Sequence, residues 1–223
     1  MLLNKIISLA YEHRDILKDT GWVISEPFSF AWWDGFDSAD KIVLSAFLVQ
    51  MTKWESVKKV INLLEQKGLA KLEVIADLDA RTLEPFLKSI NFYKTKTQRI
   101  LKFSRFIKEN NGLENLLKIE NRALILSQEG VGEETADSIL LFAGHQPVFP
   151  ATEYSRRVMS RVTGEEIRKR EVPKIVENGI GRDVLKFKIL HASFGGIGKA
   201  FCFQNEPKCN RCFLKHVCKY NYR

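Results

Sequence analysis

All four cysteines of this 223-residue chain lie close to its C-terminal end. Cys202, Cys209, Cys212 and Cys218 follow the spacing C-x6-C-x2-C-x5-C within residues 202–218. Four thiols in so short a stretch point to a shared soft metal or cluster, because thiolates bind such centres and fix a loop with little core of its own. Three chemistries use such a set. Disulfides belong to oxidising compartments, and the N-terminus, MLLNKIISLAYEHRD, lacks the long apolar core and cleavage site of a secretory signal. A four-cysteine zinc site usually presents two close pairs, and here only Cys209 and Cys212 form one. An iron–sulfur cluster is a larger object that tolerates longer gaps. Spacing alone leaves zinc and cluster open.

A second constellation is Leu126-Ser127-Gln128-Glu129-Gly130-Val131-Gly132-Glu133-Glu134-Thr135-Ala136. It resembles the helix–hairpin–helix element, apolar-Pro-Gly-apolar-Gly-x-x-Thr-Ala, with Gln128 in place of the apolar residue and Glu129 in place of the Pro. Gly130 and Gly132 are expected to turn the backbone at positive φ. The amides of Gly130, Val131, Gly132 and Thr135 would then line a site for a phosphate oxygen beside a helix N-terminus. An ordinary helical corner also uses two glycines. Thr135-Ala136 and the helix that follows tip the reading towards DNA.

These residues need elements to position them. Apolar side chains recur near a 3.6-residue period over residues 40–67, 94–110, 133–143, 154–162 and 184–194, with shorter helical stretches at 81–90, 113–119 and 123–126. Ser38 is the expected N-cap of the first. Strand signals are nearly absent, so the fold class is all-α. The expected division is a central helical lobe, 36–164, with the helix–hairpin–helix at 124–143, and a terminal lobe from 1–35 and 165–223 that carries the cysteine loop. No apolar run is long enough for a membrane span. The net charge is +8 and the pI about 9.3. Arg156, Arg157, Arg161, Arg168, Lys169 and Arg170 cluster in one stretch, and Lys208, Arg211, Lys215, Lys219 and Arg223 in the tail. A polyanion is the natural partner.

Across roughly residues 25–220 the chain resembles the endonuclease III superfamily of base-excision DNA glycosylases, closest to its endonuclease III-related or 3-methyladenine glycosylase-like branch. The cysteine spacing matches that family's 4Fe–4S loop gap for gap, which favours the cluster over zinc. Phe47-Leu48-Val49-Gln50-Met51-Thr52-Lys53-Trp54 resembles its Leu-x-x-Gln-x-Thr helix, and Asn91-Phe92-Tyr93-Lys94-Thr95-Lys96 its Gly-Phe/Tyr-Tyr-x-x-Lys turn. Thr135 to Leu141, Tyr154 to Val158 and Trp32-Trp33 with Trp54 fit the same branch. The resemblance implies a monomer acting in the cytoplasm on double-stranded DNA that carries a damaged, alkylated base. The lobes would form a basic cleft, and the lesion would rotate out of the stack. Gln50 would fill the gap. Trp32, Trp33, Trp54 and His145 would line the base pocket, though the tryptophans read equally as core. Lys208, Arg211 and Lys215 would contact phosphates.

Two departures bear on mechanism. Where bifunctional relatives carry a Schiff-base Lys, this chain has Glu134, and a carboxylate forms no imine. Where the family carries its essential Asp, this chain has Thr152, followed by Glu153. Either Glu153 supplies the missing charge, or base excision is lost and the protein recognises DNA without cutting. Thr152 also reads as the N-cap of the next helix. Asp137 and His191 read as structural, and His216 as a surface residue near DNA.

Overall fold

The computed structural model describes residues 2–222, so Arg223 of the basic tail lies outside it. Among the described residues the α-helices are α1 (Leu2–Glu12), α2 (Arg14–Asp19), α3 (Ala39–Leu48), α4 (Trp54–Gln66), α5 (Leu72–Ala76), α6 (Ala80–Leu87), α7 (Tyr93–Glu109), α8 (Leu113–Leu116), α9 (Arg122–Leu126), α10 (Glu133–Phe142), α11 (Glu153–Thr163), α12 (Val172–Ile180) and α13 (Val184–Ala200). No strand forms among them, and an isolated bridge pairs Trp22 with Trp33. The all-α expectation stands. None of these helices is long and apolar enough to cross a membrane.

Residues 40–67 were expected as one helix and form two. Ser38 caps α3 as expected, its hydroxyl accepting from the Lys41 amide at 3.4 Å. The helix ends at Leu48, where Lys96 holds the chain: its Nζ donates to Leu48 O at 2.7 Å and to Gln50 O, in the loop beyond, at 2.5 Å. Helices α1, α2, α5 and α12 lie outside the stretches expected from the sequence. Helix α1, for example, buries only Leu3, Ile6 and Ala10, one narrow stripe.

The contacts divide the chain into two units, Asp37–Gln146 and Met1–Phe36 with Pro147–Arg223. The sequence division put residues 153–163 in the central lobe. Helix α11 instead packs on α13 in the terminal unit.

In the central unit α5 and α6 pack on α7, and α3 lies against α4, α7 and α10. Every residue of α3 from Lys41 to Leu48 is buried. Phe47 meets Phe103 with ring centroids 5.0 Å apart. Each such large apolar side chain contributes about 1.5–3 kcal/mol on burial. Lys41, buried in that helix, is neutralised by Asp37 and Glu65.

In the terminal unit α1, α2 and α11 pack around α13, which is buried from Phe187 to Gly198. Close approach dictates Gly198: a Cβ there would stand 2.3 Å from the Tyr154 ring of α11. Lys188 is fully buried on the same helix, and its Nζ donates to Pro27 O at 2.8 Å. Burial pulls its pKa down to about 7. His191 is buried too, and desolvation lowers it to about 4, against a hydrogen bond with the Pro150 backbone that acts to raise it. A neutral core histidine is the structural role expected of it.

Candidate nucleic-acid interface and cysteine loop

The hairpin joins α9 to α10 in the central unit. Gly130 adopts φ +85°, as expected for the tight turn. Gly132 does not: its φ of −91° and ψ of 175° are extended, and it serves as the N-cap of α10. The expectation of positive φ at both glycines is therefore corrected. A Cβ on Gly132 would meet nothing within 4 Å. Neither strain nor internal crowding requires glycine there. No side chain caps α10, and the Val131 amide closes the turn on Gln128 O at 3.1 Å. The base of the hairpin is anchored by Arg122 of α9, which grips Asp137 of α10 through Nε at 2.5 Å and Nη2 at 3.0 Å. Burial still raises the Asp137 carboxyl above its ordinary value, with Arg122 opposing. Asp137 is structural, as expected. Glu129, at the motif's Pro position, pairs with Lys102 of α7 at 2.7 Å and is held ionised by it.

Gln50 was expected on a helix and lies instead in the loop between α3 and α4. Its Nε2 donates to Gly130 O at 3.2 Å and approaches Thr135 Oγ1 at 3.4 Å. The loop and the hairpin thus form one assembly. Lys96 fixes the loop from below with a third bond, to Thr52 Oγ1 at 2.9 Å. Asn91, in the turn before α7, donates from Nδ2 to Met51 O at 2.6 Å. Met51 and Phe92 carry φ of +53° and +57°. The sequence offered Lys96 only as the last residue of a turn motif. Its burial and its bonds across forty-odd residues leave no local signal.

The cysteine loop follows α13. All four cysteines line one small pocket, partly open to solvent, with Val158, Arg161, Ile197 and Leu214. Phe213 is buried and stacks on His13 at 4.9 Å. Two arginines of α11 build the frame. Arg157 donates to Cys202 O at 2.7 Å. Arg161 donates to Phe203 O at 2.6 Å, Gln204 O at 2.9 Å and the Cys202 sulfur at 3.2 Å. These two guanidiniums, counted as DNA-facing in the sequence, are occupied with the loop. Burial, then repulsion from Cys202, Cys218 and Cys209, raises the Cys212 thiol to about 11. Four mutually repelling thiols ionise together only around a cation, so the donor chemistry fits a thiophilic metal centre. Among the described residues no three His, Cys, Asp or Glu side chains are arranged around a single ion. Lys208 and Arg211 of the loop are exposed, and so is His216, while Lys215 is half-buried.

At the position of the family Asp, Thr152 is buried and caps α11 in a capping box. Its Oγ1 accepts from the Ser155 amide at 2.9 Å, and Ser155 Oγ accepts from the Thr152 amide at 2.9 Å. Glu153 is half exposed and forms an ion pair with Arg156 one turn on. That hydrogen bond holds its carboxyl below the ordinary range. Glu134 lies in the first turn of α10, where a carboxylate favours the helix dipole.

The tryptophans do not share one unit. Trp32 and Trp33 are buried in the terminal unit, and Trp32 Nε1 donates to Glu26 O at 2.9 Å. Trp54 opens α4 in the central unit, half-buried, and His145, half-buried at φ +52°, lies near that unit's end.

The family model described as HhH-GPD superfamily base excision DNA repair protein matches residues 44–181. A protein of Methanocaldococcus jannaschii, provisionally named a DNA repair glycosylase, is 33% identical over 195 residues, covering 84% of this chain and 88% of that protein. Among solved structures, the H. pylori 3-methyladenine DNA glycosylase bound to 1,N6-ethenoadenine superposes with a TM-score of 0.70 at 22% identity, covering 88% of this chain and 96% of that one. A non-covalent endonuclease III–DNA complex gives 0.74 at 19% identity, over 98% of this chain and 94% of that one. The hairpin, the helical architecture and these matches lead to one assignment: the chain belongs to the HhH-GPD superfamily of base excision DNA repair proteins, a family of DNA glycosylases.

Proposed function

We propose that this protein is a monofunctional glycosylase that releases an alkylated purine from duplex DNA, acting as a monomer inside the cell. The observation that carries this reading is the pairing of an open hairpin with a family Asp position given over to a helix cap. Backbone amides around Gly132 would hold a phosphate without side-chain charge. Exposed Lys208 and Arg211 would contact further phosphates. Thr152 brings no negative charge, and the charge of Glu153 is neutralised by Arg156.

A base alkylated at a ring nitrogen carries a formal positive charge. When the C1′–N bond breaks, the electron pair goes to the base, which leaves neutral without being protonated. The sugar carries the developing positive charge until water adds at C1′ and gives up a proton. Such a leaving group demands least from the enzyme, so a site with no carboxylate at residue 152 suits it best. Glu134 in place of the Lys leaves no amine for imine formation at that position.

The test is single-turnover incubation with duplexes carrying alkylated, deaminated or oxidised bases. Free alkylated base is expected, with strand breaks only after alkali and no borohydride-trapped adduct. Tight, salt-sensitive binding with no base released from any duplex would favour the second reading, damage recognition without excision. The spent hydroxyl of Thr152 is what favours that alternative.

We further propose that Cys202, Cys209, Cys212 and Cys218 hold a 4Fe–4S cluster rather than zinc. Bound there, the cluster would cross-link the loop and supply a one-electron redox centre. With all four ligands cysteine, it has no open position for hydrolysis. Iron and acid-labile sulfide should co-purify in equal amounts and fall in Cys212→Ser. Zinc without sulfide would refute the assignment.

A further inference from the structure

Residues 128–131 form a turn closed by the Val131 amide on Gln128 O at 3.1 Å, with Glu129 and Gly130 as its central pair. Gly130 at φ +85° gives the turn the type II form, whose first central place favours Pro. Pro would set the backbone there and carry no charge. Glu129 instead sets a carboxylate close to the amides around Gly132 that would face a phosphate, and two anions so placed repel. The turn does not need that carboxylate. The side chain is 54% exposed, and an ion pair in such a place adds little to stability.

Helix α7 nevertheless holds it with two cations. Arg99 and Lys102 lie three residues apart on that helix, so they share a face. Lys102 Nζ meets Glu129 Oε2 at 2.7 Å, and Arg99 Nε stands 3.6 Å from Oε1. The Arg99 stem runs against the hairpin, its Cδ 2.5 Å from where a Gly130 Cβ would be. Arg99 Nε is buried and finds no hydrogen-bond partner among the described residues. Arg105, next along α7, donates to Ala76 O and Leu78 O. Arg99 and Lys102 thus converge on one anion at the edge of a phosphate-type turn, and that anion is the protein's own.

We propose that Glu129 is a built-in guard on the hairpin: its carboxylate stands in for a phosphate and keeps Arg99 and Lys102 from the DNA backbone. This rests on the glycosylase reading above and adds a restraint on how tightly the same surface holds any duplex. A cation neutralised by its own protein displaces no counterion from DNA, so it adds nothing to the sequence-independent grip. The protein then leaves undamaged duplex sooner than its count of basic residues would imply.

The test is the salt dependence of binding to an undamaged duplex, measured with the full-length protein. The variants are Glu129→Gln, Lys102→Gln and the two together. Exposed Glu73 of α5 supplies the control, since Glu73→Gln changes the net charge equally. Glu129→Gln should bind about ten-fold more tightly, and its slope of log affinity against log salt should steepen by about 0.9 for each cation released. Its melting temperature should stay close to that of the parent. Adding Lys102→Gln to Glu129→Gln should give back about 0.9 of that slope. Lys102→Gln alone should leave the slope near that of the parent and weaken binding, because it bares the carboxylate. A slope in Glu129→Gln no steeper than in Glu73→Gln overturns the proposal. So does an equal loss of slope on Lys102→Gln in the parent and in the Glu129→Gln background, which would show Lys102 already on a phosphate. Either result leaves the glycosylase reading standing. A parent protein without salt-sensitive binding to any duplex overturns that reading, and the guard with it.

Discussion

Thr152 shows how one residue can serve fold and chemistry unequally. Its hydroxyl caps α11, a contribution of about 1 kcal/mol, and Thr152→Ala should lower stability by that amount in urea titrations. Asp caps a helix as well as Thr does. Thr152→Asp should therefore keep the fold and restore a carboxylate. Base release in single turnover is expected to rise about 10²-fold, most for neutral lesions. An unchanged rate would mean that residue 152 does not face the reacting sugar. Lys188 gives a second residue-level prediction. Its folded pKa of about 7 lies below the ordinary 10.5, so the unfolded chain binds more protons between those values. Stability then rises with pH across that window, and the burial penalty is fully present below it. Lys96, lowered to about 8 chiefly by burial, adds in the same direction at the upper end. Lys188→Met should flatten the pH dependence of the urea midpoint by up to about 1.4 kcal/mol per pH unit. An identical profile in parent and variant would show that Lys188 keeps its charge when folded.

The two glycines of the hairpin separate fold from binding at the scale of the element. Gly130 at φ +85° also has Arg99 Cδ 2.5 Å from a would-be Cβ. Gly130→Ala should cost about 1 kcal/mol or more through strain and the shift of Arg99. Gly132→Ala meets neither obstacle and should cost only the difference between glycine and alanine at an N-cap, about 1 kcal/mol or less. Its methyl group would stand over the amides, so duplex affinity should fall about ten-fold, as expected for one lost charge-assisted contact. Equal affinity in Gly132→Ala and parent would remove the hairpin from the binding surface. Much of this element was legible in the sequence, because Gly-x-Gly, Thr135-Ala136 and the following helix are local signals. The φ of Gly132 was not, since an N-cap glycine and a turn glycine look alike in one dimension. The break in residues 40–67 was likewise hidden. The lysine that holds the chain at this gap comes from a distant helix. The cysteine loop was legible in its spacing, while the two arginines that frame it read as surface charge until their acceptors were seen.

At the scale of the whole molecule, not every one of the 35 lysines and arginines is presented to a polyanion. Arg122, Arg156, Arg157, Arg161, Lys96 and Lys188 all serve partners within their own units. The salt dependence of duplex binding should separate the two populations. Lys208→Gln and Arg211→Gln should each reduce the slope of log affinity against log salt by about 0.9, the loss of one phosphate contact. Arg161→Gln should leave the slope alone and loosen the cysteine loop, read as faster iron loss to a chelator. A slope change in Arg161→Gln with the loop intact would return that residue to the DNA-contacting set.

The terminal unit is assembled from the two ends of the chain around an uninterrupted central segment. Synthesis therefore delivers its halves at different times. Helices α1 and α2 leave the ribosome with their apolar faces unmatched and must wait through the whole of the central unit for α13 to arrive. The cysteine loop comes later still. A nascent chain halted before residue 184 would hold a finished hairpin and an orphaned N-terminal stripe, which makes α1 a natural ligand for a chaperone. A cluster held by these cysteines would be loaded last, on a chain whose hairpin is already built.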